Sequence, residues 1–197
     1  MNKVLLAVLV LVAILVVFGL GVFMWYVGEY NGVVAKDQSV KQAWGDVDAQ
    51  LTRRYDLIPN LVATVKGYME HERGVLTEVT DLRAKAVSPG ISSDDKVDVD
   101  NQLTAALRRL MVSVENYPDL KASGNFMHLQ TTLTEVEEQI SAGRRAYNAS
   151  VLEYNNAVEM FPTNILASAM SFRRKRFFEI SEEEKAVPEA PKTFNRK

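Results

Sequence analysis

The sequence predicts an all-α protein in which a single N-terminal transmembrane helix precedes an antiparallel bundle of three to four long helices. Three observations support this fold class: an uncharged apolar stretch at the N-terminus, apolar residues recurring at alternating steps of three and four, and no strand-like alternation. The predicted organisation is a transmembrane anchor at 1–28, a helical bundle at 29–165, and a basic-aromatic segment with a flexible C-terminal tail at 166–197.

The N-terminal stretch has the length of a membrane span. Val4 to Gly28 contain no charged residue. A helix of about 25 residues extends roughly 37 Å, and a hydrocarbon core is about 30 Å thick. Trp25 and Tyr26 stand near its far end, where amphipathic rings prefer the headgroups, and are predicted membrane contacts. A signal peptide cleaved near Gly21 is the alternative, but the apolar run continues past that point.

Small residues on the anchor predict self-association. Gly21, Gly28, Gly32 and Ala35 fall close to one helical face, and Gly28 and Gly32 have the small-xxx-small spacing that lets membrane helices approach closely. We interpret Gly21, Gly28 and Gly32 as contacts in a homo-oligomer. The alternative is that glycines are simply frequent in membrane helices.

The charges beside the anchor discriminate weakly between the two orientations. Lys3 stands on one flank, and Lys36 and Lys41 stand on the other, so the positive charges nearly balance. The proximity of Lys3 to the apolar stretch favours a cytoplasmic N-terminus. The bundle would then lie outside, on the periplasmic side.

An apolar stripe predicts the first soluble helix. It runs from Val33 to Ala86 at seam spacing, and its register does not slip at Pro59. Since proline removes a helical hydrogen bond, either one long helix kinks near Ile58 or Asp56 caps a new helix with Pro59 in its first turn. The unbroken register favours the kink.

Two further helices complete the predicted bundle. Ser88-Pro89-Gly90 ends the first soluble helix, and Ser92 is a possible N-cap for a shorter one with Leu103, Leu107, Leu110 and Val114 on one face. A long last helix then holds the same seam spacing from Phe126 to Phe161, and Pro162 ends it.

Polar residues crowd the seam and form the candidate structural or interaction site. They are Arg53, Arg54, Asp56, Asn60, Lys66 and Glu72, together with Pro59. Because buried charges need partners, we interpret them as a network with polar residues of the last helix, namely Glu135, Arg144, Arg145, Asn148 or Asn155. The alternative is a polar groove for a ligand or a neighbouring subunit.

The composition and motifs argue against several function classes. Without cysteine the chain has no disulfide, thiolate metal site or cysteine nucleophile, and its net charge of −2 provides no field for nucleic acid. His71 and His128 lack the Glu-x-x-His spacing of helical di-iron sites, and no zinc-protease, serine-hydrolase or phosphate-loop motif occurs. We therefore expect no enzyme activity, no cofactor and no bound metal.

A basic block near the C-terminus is a second predicted membrane contact. Arg173, Arg174, Lys175 and Arg176 are flanked by Phe172, Phe177 and Phe178. Such a block suits an anionic lipid surface or an acidic partner. The alternative is a flap whose phenylalanines tuck under the bundle while the basic groups stay in water.

Several short motifs together resemble the LemA family. They are Tyr30-Asn31, Ala43-Trp44, the run from Leu51 to Leu61 (LTRRYDLIPNL), Val65 to Tyr68, Glu70 to Glu72, Tyr154-Asn155 and Phe161-Pro162. The resemblance extends from the anchor to about Phe178. It implies a single-pass protein of the bacterial inner membrane with an all-α bundle and no settled molecular activity. It also implies the reverse orientation, with the bundle inside.

The resemblance also shapes the functional hypotheses, because family members are linked to the shaping of intracellular membranes, notably in magnetosome formation, and to envelope proteases of the HtpX type. The leading hypothesis is a membrane-anchored scaffold that contacts lipids and assembles with copies of itself to organise or shape the membrane. The alternative is an adaptor or regulator of an envelope protease.

Overall fold

A computed structural model describes residues 3–69 and 72–179, and within them all regular structure is helical. The helices are α1 (Lys3–Lys66), α2 (Arg73–Ala86), α3 (Ser93–Val114), α4 (Pro118–Lys121), α5 (Gly124–Glu159) and α6 (Thr163–Ala169). This confirms the predicted all-α class with an N-terminal apolar helix. His71 and the predicted flexible tail after Glu179 lie outside the described residues.

The anchor and the first soluble helix are one helix. α1 contains 64 residues and passes through Pro59 without interruption, so the alternative of a new helix capped by Asp56 is wrong. Pro59 has no N–H to offer to the carbonyl of Tyr55, four residues earlier. The Nε of Arg83, on α2, donates to that carbonyl instead at 3.3 Å, so the acceptor freed by the proline keeps a partner.

The break in the predicted long helix falls later, after Lys66. The amides of Tyr68 and Met69 both donate to the carbonyl of Val65, at 2.9 and 3.0 Å, which tightens the last turn of α1. Tyr68 is exposed and Glu72 is half-buried, while Met69 is fully buried. The predicted seam is therefore wrong at Tyr68 and Glu72, although Val79, Leu82 and Ala86 of α2 are buried as expected.

The ends of α3 and α5 follow local chemistry. Ser92 caps α3 as predicted, because its hydroxyl accepts from the amide of Asp95 at 3.1 Å. α5 ends at Glu159, ahead of the proline, since the residue before a proline is disfavoured in a helix. Phe161 was expected on the seam but is 78% exposed.

The described chain divides into two compact units. The first comprises the chain up to Asp46 together with Arg145–Phe177, and the second comprises Val47–Arg144 and the chain from Phe178. Helices α1 and α5 contribute to both. The part of α1 that qualifies as a membrane span belongs to the first unit, and its large apolar side chains from Leu5 to Val27 are exposed.

Each unit has its own buried apolar residues. In the first unit these include Val33, Val40, Val151 and Leu166. The core of the second unit is larger and joins α1, α2, α3, α4 and α5 through Leu61, Val65, Met69, Leu76, Leu110, Val114, Leu120, Phe126 and Leu133. These positions explain why the three-four spacing of the sequence specifies helices: each helix buries one apolar face.

Candidate functional site

Four charged side chains meet inside the second unit and form what we call the charged cluster: Arg54, Asp100, Glu137 and Arg144. The Nη2 of Arg54, on α1, pairs with Oδ1 of Asp100, on α3. The Nη1 of Arg54 lies 2.6 Å from Oε2 of Glu137, on α5. The Nη2 of Arg144, also on α5, lies 3.0 Å from Oδ2 of Asp100. Three helices are thus joined through one carboxylate.

Two aromatic residues complete the charged cluster. The hydroxyl of Tyr55 donates to Oδ1 of Asp100 at 3.2 Å, and the guanidinium of Arg144 stands 4.5 Å from the centroid of the Phe178 ring. Burial and the neighbouring Asp100 carboxylate both raise the pKa of Tyr55 well above its ordinary value. Its hydroxyl therefore keeps its proton and serves as a hydrogen-bond donor.

Arg54 and Asp100, at the centre of the charged cluster, are almost inaccessible to water, whereas the side chain of Glu137 is 41% exposed. Arg54 is 1% exposed and Asp100 is fully buried. Burial by itself would lower the pKa of Arg54. The neighbouring carboxylates of Asp100 and Glu137 outweigh burial and raise the pKa above its ordinary value, so the guanidinium stays charged. With two arginines and two carboxylates the formal charges cancel, which offsets the cost of removing them from water.

The geometry indicates that the charged cluster holds α1, α3 and α5 together. Both oxygens of Asp100 already accept hydrogen bonds from Arg54, Tyr55 and Arg144. A general base needs a carboxylate within reach of a substrate proton, and Asp100 is committed to its neighbours instead. The described residues also contain no group of three His, Asp or Glu side chains arranged to hold a metal ion.

The predicted polar seam is only partly assembled. Arg54 and Arg144 meet at the carboxylate of Asp100, a residue that was not among the predicted partners. Arg53, Asp56, Pro59 and Asn60 are exposed on α1, and Glu72 lies just before α2. Asn155, the other predicted partner that is buried, lies in the first unit. Of the remaining candidates, Glu135 and Arg145 are exposed and Asn148 is half-buried on α5.

Asp100 and Glu137 were missed, although Asp100 had a detectable signal. It precedes Leu103 by three residues and therefore occupies the same face of α3 as the predicted apolar positions. A carboxylate on an apolar face requires a buried cation, and Arg54 on the seam of α1 is the matching charge. Glu137 follows Val136, a seam residue of α5, and no spacing distinguishes it from its exposed neighbours.

A second polar site lies in the first unit and holds residues 172–177, which we call the basic strap. The side-chain amide of Asn155 donates to the carbonyl of Lys175 at 3.0 Å and accepts from its amide at 2.9 Å. The hydroxyl of Tyr147 donates to the carbonyl of Arg176 at 3.2 Å. Backbone without regular secondary structure is thus held by side chains of α5.

Lys175 is the best-anchored side chain of the basic strap. Its Nζ lies 2.8 Å from Oδ1 of Asp37 and 5.1 Å from the centroid of the Tyr154 ring. Burial alone would raise the pKa of Asp37, but hydrogen bonds from Lys175 and Lys41 outweigh it and lower the pKa below its ordinary value. Burial, together with this carboxylate, raises the pKa of Tyr154.

The other predicted membrane contacts are exposed. Arg173 and Arg176 point away from the core, and Arg174 pairs with Glu159 at 2.8 Å. Trp25 and Tyr26 are exposed near the end of the apolar stretch. A Cβ atom added to Gly21, Gly28 or Gly32 would have no neighbour within 4 Å, so this small-residue face is open within the described chain.

The second unit also contains an open groove between the end of α1 and α2. It has a volume of about 590 Å³, with Val62, Met69 and Leu76 as apolar lining and Lys66, Thr77 and Asp81 as polar lining. A smaller depression of about 320 Å³ is lined by residues that include Asn60 and His128. Each groove mixes apolar and polar groups, as a docking site for a protein segment does.

These observations define a class of protein: a helical domain built on one N-terminal helix long enough to cross a membrane. The chain belongs to the LemA family, whose family model matches residues 43–192. The predicted resemblance is thereby confirmed.

Three relatives illustrate the range of the similarity. The chain is 26% identical over 167 residues to Protein LemA of Metamycoplasma hominis, covering 84% of this chain and 76% of the relative. It is 26% identical over 176 residues to Magnetosome protein MamQ 2 of Paramagnetospirillum magneticum, covering 77% of this chain and 65% of the relative. To Magnetosome protein MamQ of Magnetospirillum gryphiswaldense it is 25% identical over 175 residues, covering 76% of this chain and 64% of the relative. The chain therefore spans just under two thirds of the length of these two magnetosome proteins.

Proposed function

We propose that the protein is a membrane-anchored helical scaffold that assembles with copies of itself to organise or shape the bacterial inner membrane. The observation that carries this proposal is the continuity of α1, which runs from Lys3 to Lys66 without a break. The magnetosome relatives, named for a membrane-bounded compartment, support a role at membranes. The charges beside the anchor favour a periplasmic position for the bundle.

The continuity of α1 matters because a helix transmits force and orientation where a flexible linker does not. The apolar stretch and the helical segments beside it belong to one compact unit. Side-chain clamps hold the basic strap to that unit. Copies that assemble through this anchored unit would impose their geometry on the bilayer.

Self-assembly is supported by the face formed by Gly21, Gly28 and Gly32. Small residues let two membrane helices approach until their backbones are in van der Waals contact. Since no described atom lies where their side chains would be, a second anchor has access to this face.

Particle size tests the proposal. We expect the full chain, purified in mild detergent, to form discrete oligomers, and a Gly28→Leu, Gly32→Leu double variant to shift them to monomers. Gly19→Leu is the matched control, because Gly19 lies on the opposite face of the same apolar helix. A wild-type protein that is monomeric at every concentration would contradict self-assembly.

A second candidate function is an adaptor or regulator of an envelope protease, and the groove between α1 and α2 favours it. A photo-crosslinking residue at Thr77, inside the groove, should capture an envelope protease in living cells, whereas one at the exposed Thr131 on α5 should not. Equal or absent capture at the two positions would remove this candidate.

A further inference from the structure

The corner between α5 and α6 exposes an unusual concentration of large apolar side chains. Beyond the apolar stretch, such side chains are exposed at nine positions of the described chain, and four of these lie between Met160 and Met170. Phe161 is 78% exposed and Ile165 is 64% exposed. Single exposed apolar residues need no explanation, but a cluster indicates a contact surface. We call Met160, Phe161, Ile165 and Met170 the apolar corner.

The contacts between α5 and α1 show which residues of the anchor lie beside the apolar corner. The Oε2 of Glu153 lies 3.6 Å from Nζ of Lys36, and the rings of Tyr147 and Trp44 are 5.6 Å apart. The two helices are therefore antiparallel, and each step forward along α5 is a step back along α1. About two further turns of α5 bring Met160 level with the last residues of the anchor.

Two direct contacts confirm this level within the same unit. The hydroxyl of Tyr26 lies 3.6 Å from Sδ of Met170, and the rings of Tyr30 and Phe172 are 6.2 Å apart. Tyr26 closes the uncharged stretch, at the depth where amphipathic rings meet the headgroups. The apolar corner is therefore positioned where the anchor passes from hydrocarbon to headgroups.

The chemistry of this neighbourhood fits a lipid surface. Apolar side chains at that depth enter the boundary between headgroups and acyl chains, and cationic side chains beside them reach lipid phosphates. Arg173 and Arg174 follow the corner directly and are exposed. α6 buries Leu166 and Ala167 towards the bundle and exposes Ile165, as expected for a short helix lying between protein and membrane.

We propose that the apolar corner inserts into one leaflet of the membrane that the anchor spans, as a second and shallow membrane contact. The proposal deepens the proposed scaffold function and rests on its membrane anchoring, but not on self-assembly. Shallow insertion adds area to one leaflet only, and this asymmetry provides a physical route to bending the bilayer. The basic strap then runs back along α5 from the headgroup level.

Depth measurements on labelled protein test the proposal. Because the chain has no cysteine, single cysteines at Phe161→Cys or Ile165→Cys accept a polarity-sensitive fluorophore without further changes. The control is Val112→Cys on α3, which is also well exposed. The full chain is placed in phosphatidylglycerol–phosphatidylethanolamine nanodiscs, one chain per disc, with nitroxide spin labels on shallow acyl positions.

We expect blue-shifted emission and at least threefold stronger nitroxide quenching at the two corner positions than at Val112→Cys. Equal quenching at all three positions would overturn the proposal. A second preparation holds two chains per disc. A blue shift that appears only in that preparation, without nitroxide quenching, would also overturn the proposal and assign the corner to a contact between copies. Since the expected quenching is measured with one chain per disc, a failure of self-assembly leaves it unchanged.

Discussion

Arg54 on α1 and Asp100 on α3 form an ion pair that is almost completely shielded from water. The partners are 46 residues apart in the chain, so the pair fixes how two helices align along their length. Tyr55 and Arg144 also donate hydrogen bonds to the carboxylate of Asp100.

Replacing Asp100 with Asn should destabilise the protein by about 3–5 kcal/mol, because two arginines are left without their shared counter-charge in a buried site. Chemical denaturation followed by circular dichroism measures the effect. Glu138→Gln is the control, since Glu138 is exposed on α5, and it should change stability by less than about 0.5 kcal/mol. Similar losses for both variants would show that the charged cluster is not what holds the helices.

The hydrogen bond from Arg83 to the carbonyl of Tyr55 should depend on Pro59. Arg83→Leu is expected to cost about 1 kcal/mol, a typical net value for a hydrogen bond. In a Pro59→Ala background the same change should cost less, because the alanine introduced there has an N–H that donates to that carbonyl. A double-mutant cycle by urea denaturation measures the coupling energy between the two substitutions. A value near zero would refute the dependence of the Arg83 hydrogen bond on Pro59. Lys85→Leu on α2 controls for loss of positive charge.

Gly143→Ala should destabilise by about 1–3 kcal/mol, the usual cost of overpacking. An added Cβ would stand 2.9 Å from Cγ2 of Val47, a short and stiff side chain. Gly45→Ala provides a control of opposite sign: its Cβ meets nothing within 4 Å, and alanine favours a helix over glycine by about 1 kcal/mol. Thermal melts of both variants give the comparison, and stabilisation by Gly143→Ala would contradict the close approach of α1 and α5.

The ion pair between Asp37 and Lys175 should make the basic strap sensitive to acid. The pKa of Asp37 is lower in the folded protein than in the unfolded chain. Its contribution is therefore present above the ordinary pKa near 4 and lost as the pH falls through the lower folded value. Asp37→Asn should cost about 0.5–1 kcal/mol at pH 6 and progressively less as the pH falls through the folded-state pKa.

Loss of the ion pair between Asp37 and Lys175 should make the backbone amides of residues 172–177 exchange faster in Asp37→Asn than in the wild type. Hydrogen exchange followed by mass spectrometry measures this difference. Asp46→Asn is the control, because Asp46 is exposed on the same helix. An Asp37→Asn effect that does not shrink as the pH is lowered below about 4 would exclude the carboxylate as its cause.

The helical architecture could be predicted because the buried face of a helix requires apolar residues at alternating steps of three and four. Val33, Val40, Val47, Leu51, Ile58, Leu61 and Val65 all occupy predicted seam positions and are buried. This pattern failed at Tyr68 and Glu72, where the chain leaves the helix and buries Met69 instead. Periodicity reports which face is apolar, but the end of a helix depends on local hydrogen bonds that spacing does not encode.

The polar sites were less predictable, since they depend on which helices become neighbours. Arg54 and Arg144 were identified as network candidates because each lies on or beside a seam. Asp100 comes from α3, for which the sequence spacing predicts only the apolar face. The hydrogen bonds of Asn155 with Lys175 join a side-chain amide to non-helical backbone, and no sequence periodicity indicates such a contact.

Membrane shape tests the central claim of a membrane-shaping scaffold most directly. The full chain, reconstituted at increasing density into vesicles of bacterial lipid composition, is imaged by electron cryotomography. We expect the protein to gather in patches on membranes of reduced radius, and the Gly28→Leu, Gly32→Leu variant to leave vesicles spherical with dispersed particles. Wild-type vesicles that remain spherical with dispersed protein at every density would contradict the account.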